Sequence, residues 1–213
     1  MASLLIYSGG LDSTTMLYEY KDSIALAVSF DYGSKHNARE IACAAENCRL
    51  LGIRHMIIPL SFIGQYFRSD LLLSGGDIPE GSYADENMRS TVVPFRNGIM
   101  LAVAAGLAES YELDAIMLAN HSGDHAIYPD CRPGFIDAFA AAVQAGTYNG
   151  VRLLSPYCNM SKRDIALRGK ALGIDYSKTY SCYKGGEKHC GKCGTCTERK
   201  EALEGFDPTE YLY

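Results

Sequence analysis

Seven residues near the N-terminus, Ser8-Gly9-Gly10-Leu11-Asp12-Ser13-Thr14, constrain the fold more than any other part of the chain. They follow a short apolar run, Ser3 to Tyr7, that has the size of a buried strand and ends at turn residues. They precede a stretch from about Thr14 to Tyr20 that reads as a helix, for which Asp12 and Ser13 supply N-cap chemistry. Strand, glycine turn and helix in that order open an α/β unit. The two glycines let the backbone approach a phosphate closely, the hydroxyls donate to its oxygens, and the free amides of a helix start point towards negative charge. Ser8 to Thr14 therefore read as an anion cradle. Asp12 is the odd member of a set of donors, and it either caps the helix or holds a Mg²⁺ ion that bridges to the phosphates. No lysine follows the glycines, so this is not a Walker A loop. Gly186 to Cys193 nearly matches that pattern, but it has Cys where Ser or Thr binds the metal and no strand before it.

Downstream, the apolar run Ile24 to Phe30 precedes a helix near Lys35 to Leu51, where Ile41, Ala44, Ala45, Cys48 and Leu51 recur at spacings of three and four before Gly52. Further strands are expected near His55 to Pro59, Ala115 to Ala119 and Val151 to Leu154. Helices are expected near Asn97 to Tyr111, Phe135 to Gln144 and Lys162 to Leu172, the last opened by the capping pair Ser161 and Asp164. Strands alternating with helices predict a Rossmann-like α/β fold, a mainly parallel sheet covered on both faces. Asp70 to Thr91 carries Gly75, Gly76, Pro79 and Gly81 with little periodicity, and is expected to be a mobile loop. No repeat divides the 213 residues, so one domain is expected over 1–213.

Twenty Lys and Arg against 25 Asp and Glu leave a formal charge of −5, which weighs against nucleic acid as the main partner. The apolar stretch Ile99 to Ala108 is about half of the ~20 residues a membrane span needs. Neither a membrane partner nor a signal peptide is expected, and the chain reads as cytoplasmic. One local exception to the acidic balance lies between Lys178 and Lys200, with six Lys or Arg and two Glu.

Four of the eight cysteines fall in that basic stretch. Cys182, Cys190, Cys193 and Cys196 contain two successive C-x-x-C steps, which bring thiolates within reach of one tetrahedral ion. Four sulfur ligands favour a closed structural Zn²⁺ site, one per chain, over 182–196. An iron–sulfur cluster is the rival reading, and a reducing compartment argues against disulfides. His189 reads as solvated or as support behind the ligands. Cys43 and Cys48 read as core, while Cys131 sits in the polar loop Tyr128-Pro129-Asp130-Cys131-Arg132-Pro133.

The glycine-rich string resembles the pyrophosphate loop of the N-type ATP pyrophosphatases, the PP-loop superfamily, which split ATP between the α and β phosphates. With the segments that follow, the chain resembles the 7-cyano-7-deazaguanine synthase family of queuosine biosynthesis along nearly its whole length. The matching residues are Ser8 to Thr15, Phe30-Asp31-Tyr32-Gly33 with His36 and Glu40, Val93-Pro94-Phe95-Arg96-Asn97, and Asp124 with Tyr128 to Arg132. They continue through Ser161-Lys162 and Ser181-Cys182-Tyr183 to the last three cysteines. Gly134 departs from the pattern, where a larger and often acidic residue is expected.

The resemblance implies a HUP-type sheet and a carbon–nitrogen ligase. The implied substrates are 7-carboxy-7-deazaguanine, ammonia and ATP with Mg²⁺, and the implied assembly is a homodimer. ATP would adenylate the carboxylate, ammonia would displace AMP to leave an amide, and a second ATP would activate the amide for loss of its oxygen. Such chemistry needs charge neutralisation and alignment more than a protein nucleophile. On this reading Ser8, Gly9, Gly10, Leu11, Asp12, Ser13 and Thr14 hold ATP, and Asp12, Ser13 and Lys162 are catalytic. Arg96, Asn97, Asp124, Asp130 and Arg132 contact the substrate. Alternatives are a related enzyme that attaches a deazaguanine to a protein, a tRNA-thiolating PP-loop enzyme and a non-catalytic zinc module.

Overall fold

The structure, a computed structural model, describes residues 1–82 and 86–213. Five parallel strands form one sheet: β1 (Ser3–Ile6), β2 (Ile24–Asp31), β3 (Arg54–Pro59), β4 (Ala115–Met117) and β5 (Arg152–Leu154). Their order is β3-β2-β1-β4-β5, so the winding reverses at β1. β1 runs in register with β2 on one side (Leu5 beside Ala27) and with β4 on the other (Leu5 beside Met117). The helices are α1 (Leu11–Glu19), α2 (Asn37–Leu51), α3 (Ser61–Tyr66), α4 (Arg96–Ser110), α5 (Pro133–Gly146), α6 (Lys162–Ala171) and α7 (Gly194–Ala202).

Successive residues of a strand face opposite sides, and both faces of β1 are buried. Leu4 joins one core with Leu26, Val28, Leu101 and Ala104, while Leu5 and Tyr7 join a second with Leu17, Ala27 and Ile165. This two-sided burial gives the unbroken apolar runs of the sequence. Glu86–Ser110 is 25 residues long and apolar enough to cross a membrane by composition, yet only its last 15 residues form α4. The side chains of α4 at Leu101, Ala104 and Ala108 are buried in the core.

Gly52 ends α2 with φ 67°, the left-handed cap expected of it. The capping box of α6 is also present, with Ser161 Oγ accepting from the Asp164 amide and the Asp164 carboxylate accepting from the Ser161 amide. Three expectations change. α1 begins at Leu11 with Gly10 as its N-cap and no side-chain cap, because Asp12 and Ser13 turn to partners outside the helix. The Asp70–Thr91 segment has structure of its own: Leu72 bridges to Ser34, Glu80 bridges to Cys193, and Glu86–Thr91 is a 3-10 helix. Residues 83–85 of that segment lie outside the described residues. Short elements at α3 and α7 carry too little apolar periodicity to be read in advance.

Candidate active site

In an open parallel sheet, a reversal of strand order opens a crevice at the carboxyl ends of the diverging strands. Here that crevice lies beyond β1 and β4, and the glycine turn runs along it. Gly9 has φ 91°, and a β-carbon on it would stand 2.2 Å from the Glu40 carbonyl oxygen, so this glycine lets α2 pack against the turn. Gly10, Leu11, Asp12, Ser13 and Ser8 line the cavity, whereas Gly9 and Thr14 do not. Ser8 Oγ shares a hydrogen bond with Ser13 Oγ at 3.0 Å and accepts from the Gly10 amide at 3.1 Å. Thr14 corrects the sequence reading: it is fully buried and bonds the Tyr7 hydroxyl at 3.1 Å. Its amide donates to the Gly10 carbonyl. What the structure leaves for the expected anion cradle is two serine hydroxyls and the first amides of α1, which have no carbonyl one turn back.

Beside the cradle lies a charged cluster from four elements. Lys162, the first residue of α6, places its ammonium 3.2 Å from Asp12 Oδ2 and 2.8 Å from Glu198 Oε2 of α7. Burial opposes its charge, but Asp12, Glu198 and Asp124 overcome this and hold its pKa well above the ordinary lysine value. His121, four residues beyond β4, accepts from the Gly123 amide through Nδ1, and its Nε2 lies 3.6 Å from Asp124 and 3.9 Å from Asp12. Asp12 thus does not cap its helix. Its Oδ1 is buried and has no hydrogen-bond partner among the described residues. Local sequence pattern does not single out His121 or Glu198; the one signal for His121 is that it follows the carboxyl end of a central strand.

The opposite wall comes from α4. Arg96 Nη1 donates to the Tyr32 hydroxyl at 3.0 Å, and its guanidinium lies over the rings of Tyr32 (5.5 Å) and Tyr128 (5.9 Å). Asn97 donates to Cys131 Sγ at 3.1 Å. Burial and the neighbouring Asp124 and Asp130 push the Cys131 thiol far up, so it meets Asn97 as a neutral hydrogen-bond partner. Asp130 and Arg132 do not line the cavity. Asp130 Oδ2 accepts from the Asn97 amide at 2.8 Å and so holds the start of α4. Arg132 is exposed and donates to the His125 carbonyl at 2.9 Å. Asp130 thus supports the wall from behind, while Arg132 lies at the surface. Gly134 is exposed with open space at its β-carbon position, so the departure there has no steric cause.

Between the walls stand His36, the N-cap of α2, and Glu40 in its first turn, with Tyr183 tilted over His36 at 5.2 Å. Burial, aided by Arg96, lowers His36 from 6.5 to about 3. The folded protein therefore refuses a proton that the unfolded chain takes below pH 6.5, and stability is lost as pH falls from 6.5 towards 3. A His36→Gln chain should lose less thermal stability than the wild type between pH 7 and pH 4.5. Equal losses in calorimetric melts would contradict the buried neutral histidine.

The sulfur atoms of Cys182, Cys190, Cys193 and Cys196 lie within 4.8 Å of one another, all buried, and none of the cysteines forms a disulfide. Backbone amides of Cys190, Lys192 and Cys193 donate to the sulfurs of Cys182 and Cys190 at 3.3 to 3.4 Å, which supports thiolate charge. His189 is not solvated: Nε2 accepts from the Ser181 amide at 3.1 Å and its ring packs between Tyr180 and Tyr211.

Residues 2–207 match the family model described as "Queuosine biosynthesis protein QueC". The chain belongs to that family. A protein of Porphyromonas gingivalis named 7-cyano-7-deazaguanine synthase is 66% identical over 212 residues, covering 98% of this chain and 96% of that protein. A protein of the same name from Desulfotalea psychrophila is 54% identical over 215 residues, covering 99% and 98%. Among solved structures, the NMN synthetase of Francisella tularensis superposes with TM-score 0.50 at 13% identity, over 87% of this chain and 68% of that one, a likeness of fold. The QueC family match extends across both the glycine turn and the four-cysteine cluster.

Proposed function

We propose that this QueC-family chain, acting as one domain over 1–213, converts 7-carboxy-7-deazaguanine and ammonia to 7-cyano-7-deazaguanine at the expense of ATP. The observation that carries the reading is one cavity that joins the amides and serines of the glycine turn, the Asp12–Lys162 pair and the Arg96 wall. ATP phosphates lie against Ser8, Gly10 and the first turn of α1, where amides and helix dipole oppose their charge. Lys162 neutralises pyrophosphate as it leaves, and Arg96 among its tyrosines faces the planar ring and carboxylate of the substrate. The names of the relatives support the small-molecule reaction over attachment to a protein.

The buried Oδ1 of Asp12, without a hydrogen-bond partner among the described residues, fits a Mg²⁺ ligand, and that ion would offset charge on the phosphates. The four cysteines fit one structural Zn²⁺ per chain. A cytoplasmic homodimer completes the reading, which sedimentation tests.

Mass spectrometry of products formed from 7-carboxy-7-deazaguanine, ATP, Mg²⁺ and ammonium tests the reaction, with nitrile expected and no nitrile refuting it. If one site performs both activations, the amide of the substrate should also give nitrile, with one ATP split to AMP and pyrophosphate. Conversion of the amide without ATP use would exclude that sequence.

A further inference from the structure

Among the described residues three carboxylates line the cavity, and two have strong partners: Asp12 pairs with Lys162, while Asp124 faces His121 and accepts from its amide. The third is Glu40, in the first turn of α2. Its side chain is 13% exposed, and its ion-pair contact among the described residues is the neutral His36 at 3.5 Å. No Lys or Arg nitrogen lies within 4.0 Å of it among the described residues. It stands close to the phosphate cradle, since a β-carbon on Gly10 would be 3.9 Å from Glu40 Oε1. The site therefore holds a carboxylate free to gain and lose a proton beside the point where an adenylate would form.

The proposed reaction needs such a group. Ammonia arrives with three N–H bonds, and the nitrile nitrogen keeps none. One proton leaves when the C–N bond forms and AMP departs, a second when the amide oxygen attacks the α phosphate and pyrophosphate departs, and a third when the second AMP is eliminated. Lys162 and Arg96 are cations held in the protonated state and cannot take these protons. Tyr32 is held protonated by burial.

We propose that Glu40 is the general base that takes protons from the nitrogen as ammonia is incorporated. This rests on the reaction proposed above. Burial raises Glu40 from 4.5 to about 8, while Arg96 of α4 and Lys162 of α6 pull it down. The neutral His36 adds no charge on the α2 side, and the cradle residues Ser8 and Gly10 are uncharged. A base near the working pH accepts and releases protons with little cost in either direction.

The experiment compares Glu40→Gln with the wild type in two assays. Pyrophosphate–ATP exchange driven by 7-carboxy-7-deazaguanine reads adenylation, which needs no proton removal from nitrogen. Amide and nitrile formation at fixed free ammonia, from pH 6 to 9, reads the nitrogen steps. Exchange is expected within about threefold of the wild type, with nitrogen incorporation down by about 10²-fold or more. The rising acid limb of the wild-type profile should vanish, and Glu40→Asp should restore part of the rate with a shifted limb. Wild-type nitrogen rates and pH profile in the Gln variant would overturn the role of Glu40. Equal loss of exchange and nitrogen incorporation would overturn it too, placing Glu40 in ATP binding. Absence of exchange in the wild type would instead refute the underlying adenylation.

Discussion

Cys193→Ala should yield a protein that lacks zinc, is cut readily by protease within 182–196, and is active only in proportion to the fraction that folds. Four thiolates would fill the shell of a bound Zn²⁺ and leave no position for water or substrate, so such an ion would act on folding. Apparent binding free energies of roughly 10–16 kcal/mol at such sites compare with about 5–15 kcal/mol for the stability of a whole domain. The consequences extend beyond the cluster. Cys193 is the N-cap of α7 and bridges to Glu80, and α7 carries Glu198 to Lys162. α7 also carries Arg199, fully buried, whose guanidinium bonds Ser181 Oγ, Thr179 Oγ1, Thr209 Oγ1 and the Tyr176 carbonyl. Losing the ion should thus free the C-terminal helix and leave Lys162 without one of its two carboxylates. Metal analysis of the wild type should find about one zinc per chain. A metal-free Cys193→Ala protein with wild-type thermal stability and no turnover would show that the cluster takes part in the reaction.

Asp12→Ala should leave the fold in place while both amide and nitrile formation fall by about 10²- to 10³-fold or more, the size typical of removing one preorganised electrostatic group. The fold survives because Asp12 does not cap α1, whose start is held by Gly10, and because Lys162 keeps Glu198 as a partner. The chemistry fails because the variant loses the buried oxygen that has no hydrogen-bond partner among the described residues and the carboxylate that positions the Lys162 ammonium. Asp12→Asn keeps the shape but not the charge, so it should be nearly as impaired. Circular dichroism, a thermal melt and product analysis on the same samples separate the two effects. A folded Asp12→Ala protein making nitrile at close to the wild-type rate would remove the glycine turn from the ATP site.

The cavity shows where linear reading stops. Lys162 was legible because a capping box fixed the start of α6 and placed the lysine in the first turn. Glu198, its partner at 2.8 Å, was not, because it is 36 residues away in an α7 of nine residues with little apolar periodicity. Asp130 and Arg132 were legible as members of an unusual polar loop, but a loop's sequence does not say which way its side chains turn. The structure turns one to the backbone of α4 and the other to solvent. Thr14 falls inside the glycine motif, where the sequence predicts a phosphate contact. The helix begins three residues earlier than its apolar pattern suggested, and this rotates Thr14 into the core against Tyr7.

By itself, the sequence determined the features set by local chemistry. These are the five strands as short apolar runs, the helix limits marked by Gly52 and Ser161, the glycine turn after β1, and four cysteines spaced for one ion. Each depends on neighbours a few residues apart, through backbone freedom, side-chain period or capping. Only the tertiary structure decided the strand order, and with it the crevice beside β1 where residues as distant as Asp12, Glu40, Arg96, His121, Lys162 and Glu198 come together. It also decided which of the carboxylates pairs with a cation and which does not, because charge and burial depend on who is near in space and not on who is near in the chain.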